Sequence, residues 1–86
     1  MPTLSFFYGI KIQMYWYDHA PPHFHIESGG YRAVWNAITL EVIAGVLPAS
    51  VHALVLQWAK LHHAEIMEAW ERCANGQPPQ KIPPLP

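Results

Sequence analysis

Residues 48–76 read PASVHALVLQWAKLHHAEIMEAWERCANG, and this run decides the fold. Pro48 stands where proline opens a helix, nothing from Ala49 to Asn75 breaks one, and Gly76 stands where a left-handed residue ends one. On a wheel of about 100° per residue, Val51, Leu54, Val55, Trp58, His62, Ile66, Ala69 and Cys73 share one face. That face calls for a sheet to lie on. Gln57, Lys60, Ala64, Glu68 and Glu71 fall opposite, while His52, Leu56, His63, Met67 and Trp70 form a flanking stripe with more apolar area than a solvent face carries. About 27 helical residues span about 40 Å, twice the length of a six-residue strand. The spacing therefore predicts one long helix whose C-terminal half overhangs its sheet.

The sheet has to come from the residues before the helix. After Gly9 the chain alternates, with Ile10, Ile12, Met14 and Trp16 to one side and Lys11, Gln13, Tyr15 and Tyr17 to the other. A period of two is a strand with one dry face, and the aromatic and β-branched run from Phe6 to Tyr17 is read as that strand. Phe24–Glu27 forms a second strand, closed by the hairpin signal Ser28-Gly29-Gly30, and Tyr31–Ile38 a third. Thr39-Leu40 makes a tight turn into a short fourth strand, Glu41–Ala44. Leu40 is a poor residue there, since such turns want φ above zero.

Between the first two strands lies Asp18-His19-Ala20-Pro21-Pro22-His23-Phe24-His25, the stretch densest in chemistry. The prolines fix φ near −65° and keep Ala20 out of helical conformations, which makes a stiff corner. His19, His23 and His25 are the candidate ligands of zinc or another divalent transition metal, with the Asp18 carboxylate to orient or complete the shell. Strand alternation equally makes His23, His25 and Glu27 an exposed cross-strand stripe opposite Phe24 and Ile26. His62 sits mid-face on the helix, one turn after Trp58, and reads either as a core residue satisfied by a carbonyl or a Tyr hydroxyl, or as an acid–base group. His23, His25 and His62 are thus the catalytic candidates. The second role needs the corner's histidines to face the helix, and the alternation turns them away. Cys73, near a helix C-terminus and on the buried face, is a poor nucleophile, and Ser5, Ser28 and Ser50 have no partners for a triad.

Composition narrows the function classes. With 86 residues, 51% of them hydrophobic and 13% charged, one small core does not readily hide the apolar surface, so self-association, as a homodimer through the helix flank, is expected. A formal charge of −1 supplies no basic field for charge-driven binding of nucleic acid. A single cysteine excludes an internal disulfide and fits a reducing compartment, the cytoplasm. Lys11 interrupts the apolar start, and no apolar run reaches the roughly 20 residues of a membrane span. Residues 77–86, with five prolines, favour an extended tail, either draped loosely or anchoring Ile82 and Leu85 on a neighbour.

The order of these residues resembles a known family. Phe7-Tyr8-Gly9-Ile10, Met14-Tyr15, Asp18-His19, Pro21-Pro22-His23-Phe24-His25, Gly45 before Leu47-Pro48, and Trp58-Ala59 with Leu61-His62 and Trp70 are similar to the small bacterial domain of unknown function 4160, over essentially the whole chain. The resemblance implies one half of a two-gene, toxin–antitoxin-like pair, and hence a small partner protein from an adjacent gene. It places the family pattern on Asp18, His19, Pro21, Pro22, His23, Phe24, His25, Trp58 and His62. Thr39-Leu40 replaces the family's Thr-Gly, Asn36, Ala37 and Ile38 its acidic residues, and Ala49 and Ser50 its basic ones, which leaves the aromatic-histidine corner as the retained feature.

Together these readings predict an α+β domain over residues 1–76, an antiparallel meander of three or four strands under one long C-terminal helix, with a Pro-rich tail over 77–86. Binding is expected at Asp18, His19, His23, His25 and Trp58. The function expected is a protein-interaction module; the alternatives are a His-dependent hydrolase or ribonuclease and a metal-binding module.

Overall fold

The computed structural model describes residues 2–86. Five strands, β1 (Thr3–Phe7), β2 (Ile10–Gln13), β3 (His23–Ser28), β4 (Tyr31–Asn36) and β5 (Val42–Gly45), precede two helices, α1 (Ala49–Leu61) and α2 (His63–Ala74). The strands form one antiparallel meander in the order β1-β2-β3-β4-β5. This is the α+β class expected, with one strand more and the long helix in two parts.

The extra strand arises because Phe6–Tyr17 is a hairpin end, a strand and a corner rather than one strand. Tyr8 and Gly9 both have positive φ, 49° and 74°, the combination a two-residue hairpin turn needs, and Phe7 pairs with Ile10 across it. Tyr is an unusual residue there, and the sequence gives little warning of the turn. β2 then ends at Gln13. Ile10, Ile12 and Met14 are fully buried as the alternation requires, but Trp16 lies beyond the strand and is half exposed, not on the dry face.

The remaining turns follow the sequence more closely. Gly29 and Gly30, at φ 52° and 87°, close the β3–β4 hairpin with Ser28 opposite Tyr31. Leu40 does adopt φ 61°, and Asn36 offsets the strain. Its Oδ1 accepts from the backbone N–H of Ile38 at 2.8 Å and of Thr39 at 3.0 Å, while its carbonyl takes the Leu40 N–H at 2.8 Å.

The helices cover one face of the sheet. Phe7, Ile10, Ile12, Phe24, Ile26, Ala33 and Trp35 meet Val55, Trp58, Ala59, Ile66, Ala69 and Cys73 in a single core, so the face read from the wheel is the one that packs. The helix is interrupted at His62, with φ −114° and ψ 28°. Ala59, Ile66 and Cys73 recur every seventh residue, a spacing that drifts about 20° per heptad around a straight helix; the break lets both halves present their buried side to the sheet.

Two expectations about the C-terminal half are corrected. α2 does not overhang, because the chain leaving β2 passes beneath it: the Tyr17 N–H bonds the Cys73 carbonyl at 3.0 Å. Trp70 is no exposed flank residue either, since it is buried with its ring 5.4 Å from that of His23. The tail is neither loose nor anchored on a neighbour. It runs back along β1, where the Ile82 N–H bonds the Leu4 carbonyl at 2.8 Å and Trp58 Nε1 donates to the Pro83 carbonyl at 2.9 Å. Ile82 and Leu85 are buried in the chain's own core. Among the described residues no helix is long and apolar enough to cross a membrane.

Candidate functional site

The corner brings together three of the side chains singled out in the sequence. His23 and His25 are two apart on β3, so they leave the strand on the same side, with ring centroids 5.4 Å apart, and at the start of the strand His23 also packs against Trp70 of α2. Phe24 between them points into the core. Asp18 reaches them from the loop: its Oδ2 lies 2.8 Å from His23 Nε2 and 4.0 Å from His25 Nε2. One donor atom from each of Asp18, His23 and His25 falls within 4.8 Å of the others. His19 takes no such place, because its side chain is 94% exposed, although its ring nitrogen lies 3.3 Å from the other Asp18 oxygen.

Each member is fixed by a different neighbour. His23 Nδ1 donates to the Pro21 carbonyl at 2.7 Å, so the proline corner sets the orientation of the ring. Tyr15, extending the line of β2, meets the His25 ring edge-on at 4.3 Å. The His19 backbone N–H donates to Asp18 Oδ1 at 2.9 Å. Burial works to raise the Asp18 carboxyl, but that N–H and the His23 and His19 imidazoles outweigh it and hold the carboxyl below its ordinary value. For His25, burial and then the neighbouring His23 pull the imidazole below its ordinary range, and Asp18 offsets them only in part. His25 Nε2 is buried and has no hydrogen-bond partner.

His62 and Trp58 belong elsewhere. His62 Nδ1 is 2.6 Å from Glu65 Oε1, and its ring packs on Trp58; the partner is thus an acid one turn on, neither a carbonyl nor a Tyr hydroxyl. Trp58 is fully buried in the core against Phe7 and Phe24. His63 bonds the Ala37 carbonyl at 2.7 Å, and the His52 ring lies 4.8 Å from that of Trp35.

Beyond the corner, the uncovered sheet face holds a recess of about 410 Å³ that the corner-centred reading missed. Tyr15 and His25 stand at its β2–β3 side, Lys11, Glu27 and Arg32 form one cross-strand row of its lining, and Ala44 and Gly45 mark its β5 side. The charges there pair with one another: Glu27 lies 3.1 Å from Arg32 and 3.7 Å from Lys11. The signal was present in the alternation, which sends Lys11, Gln13 and Tyr15 to the same side as His25 and Glu27. What the alternation does not carry is the curvature that makes a face into a recess.

β5 itself is an open edge. It is last in the strand order, and Val42, Ile43 and Val46 are 46%, 51% and 67% exposed. β1, at the other edge, is covered in part by the tail.

No curated protein and no solved structure matches the chain. The family model of a domain of unknown function, DUF4160, matches residues 9–71, a span that starts at the first hairpin turn, takes in the whole Asp18–His25 corner and ends within α2. The chain belongs to the DUF4160 family.

Proposed function

We propose that this chain is a protein-interaction module, one half of a two-gene pair of toxin–antitoxin type acting in the cytoplasm, and that it receives a small partner protein on the uncovered sheet face and its β5 edge. The observation that carries this is the asymmetry of the sheet. One face lies under α1 and α2 and one edge lies against the tail, while the other face is recessed and the other edge exposes Val42, Ile43 and Val46. An open apolar edge invites strand addition, in which the main chain supplies affinity and side-chain pockets supply specificity. The low charge of the chain favours a protein over nucleic acid as occupant.

Ile43 is the residue to change, because it is half exposed on the edge and outside the core. Co-expressed with the product of the adjacent gene, the wild type is expected to elute as a stoichiometric complex by size exclusion with light scattering. Ile43→Lys is expected to elute alone, with an unchanged thermal melt. A wild type that elutes without the partner, or only as a homodimer, contradicts the proposal. The reading in which His62 serves the corner as acid or base draws no support from the site, since His62 is held by Glu65.

A further inference from the structure

We infer that Asp18, His23 and His25 form a binding site for one divalent transition-metal ion of the zinc class, with Asp18 Oδ2, His23 Nε2 and His25 Nε2 as ligands. The site adjoins the proposed partner surface, since His25 also lines the recess, but the inference rests on how the donors are held.

His23 carries the first part. The Pro21 carbonyl can only accept, so the Nδ1 it meets at 2.7 Å is the protonated nitrogen. Nε2 then faces a carboxylate oxygen at 2.8 Å. Two lone pairs do not face each other at that distance unless something positive lies between them, a proton or a metal ion. An imidazole that gives its far N–H to a backbone carbonyl is also the arrangement in which a histidine ligates, with tautomer and ring plane already set.

His25 carries the second part. A buried polar atom without a partner is costly, and His25 Nε2 is such an atom, 4.0 Å from the same carboxylate oxygen. An ion held jointly with Asp18 and His23, whose donor atoms lie within 4.8 Å of that of His25, supplies the missing partner.

The distances admit the ion with small movements. Bonds of about 2.0–2.2 Å to tetrahedral zinc place neighbouring donors about 3.3 Å apart. Asp18 Oδ2 has to withdraw from His23 by about half an ångström and approach His25 by somewhat more. Asp18 lies outside the strands, whereas both histidines are on β3, so the carboxylate is the ligand free to adjust. Three protein ligands leave at least one position open in a four-coordinate ion, as catalytic rather than structural sites do. His19, exposed beside Asp18, is a reserve donor and not part of the set.

The test is zinc uptake by the full chain, purified without a histidine tag and dialysed against zinc chloride, with metal read by elemental analysis. Wild type is expected to hold one zinc per chain. Asp18→Asn and His25→Ala are each expected to weaken binding at least about tenfold, while His19→Ala and the remote His52→Ala stay within about threefold of wild type. Because a corner variant can lose its fold, the wild type is also titrated with cobalt(II). Visible bands of nitrogen and oxygen ligation without a thiolate charge-transfer band exclude Cys73 as a ligand and agree with the Asp18, His23 and His25 donor set. A wild type without stoichiometric zinc, a His25→Ala protein that binds like wild type, or a thiolate band overturns the inference.

Discussion

At the scale of single residues, backbone geometry decides more than side-chain chemistry. Gly45 has φ 80°, and a Cβ there would run into the Arg32 carbonyl and the Ala33 Cα. Backbone of the neighbouring strand cannot swing aside as a side chain can. Gly45→Ala is therefore expected to cost about 2–3 kcal/mol in urea unfolding; a loss under about 0.5 kcal/mol would show that β5 can shift away from β4. Cys73 is fully buried, and burial raises its thiol above the ordinary value. It is expected to resist a thiol-reactive dye in native protein at mildly alkaline pH and to react once in denaturant; a burst of native reaction would place it at the surface. His62 is mostly buried beneath Trp58, with Glu65 completing it. His62→Ala is expected to lose about 1–3 kcal/mol of stability, chiefly from the cavity left under Trp58, and a variant that melts like wild type would separate His62 from the core.

At the scale of elements, what was legible tracks how local the physics is. The helix face was readable from Val55, Trp58, Ile66, Ala69 and Cys73 because a period near 3.6 needs no knowledge of the partner. The Gly29-Gly30 hairpin was readable because glycine announces positive φ. Tyr8 and Leu40 adopt the same backbone region without announcing it, so β1 is not legible in the sequence, and the Thr39-Leu40 turn depends on bonds from Asn36 that spacing does not show. The break at His62 falls where the sequence has no breaker residue. The tail shows the limit most clearly. Proline-rich composition implies an extended chain but not where it lies, and here Ile82 and Leu85 fill the core beside β1. Deleting residues 77–86 is expected to remove two buried aliphatic side chains at about 1.5–3 kcal/mol each and to leave Trp58 Nε1 without its acceptor. In a domain of this size that is a large part of the total stability. The truncated chain should lose most of its cooperative thermal transition by circular dichroism, and a melt like that of the full chain would mean the tail contributes nothing to the core.

At the scale of the whole molecule, the sheet separates two tasks. Its inner face, with the helices and the tail, supplies the stability; its outer face, from His25 across to β5, is left uncovered and is the surface proposed for a partner. The corner's residues were all visible in the sequence, but their grouping was not: a loop carboxylate, Asp18, stands with His23 and His25 while His19 turns to solvent. Loop direction is set by the stiff prolines and by the contact of Tyr17 with α2, and neither is a matter of spacing. The most direct test of the outer face as the working surface is a titration of ¹⁵N-labelled chain with the protein encoded beside it, followed by amide chemical shifts. The largest changes are expected at Val42–Val46, Arg32 and Val34. Changes confined to α1 and α2, with the β5 amides unmoved, would contradict that role of the outer face.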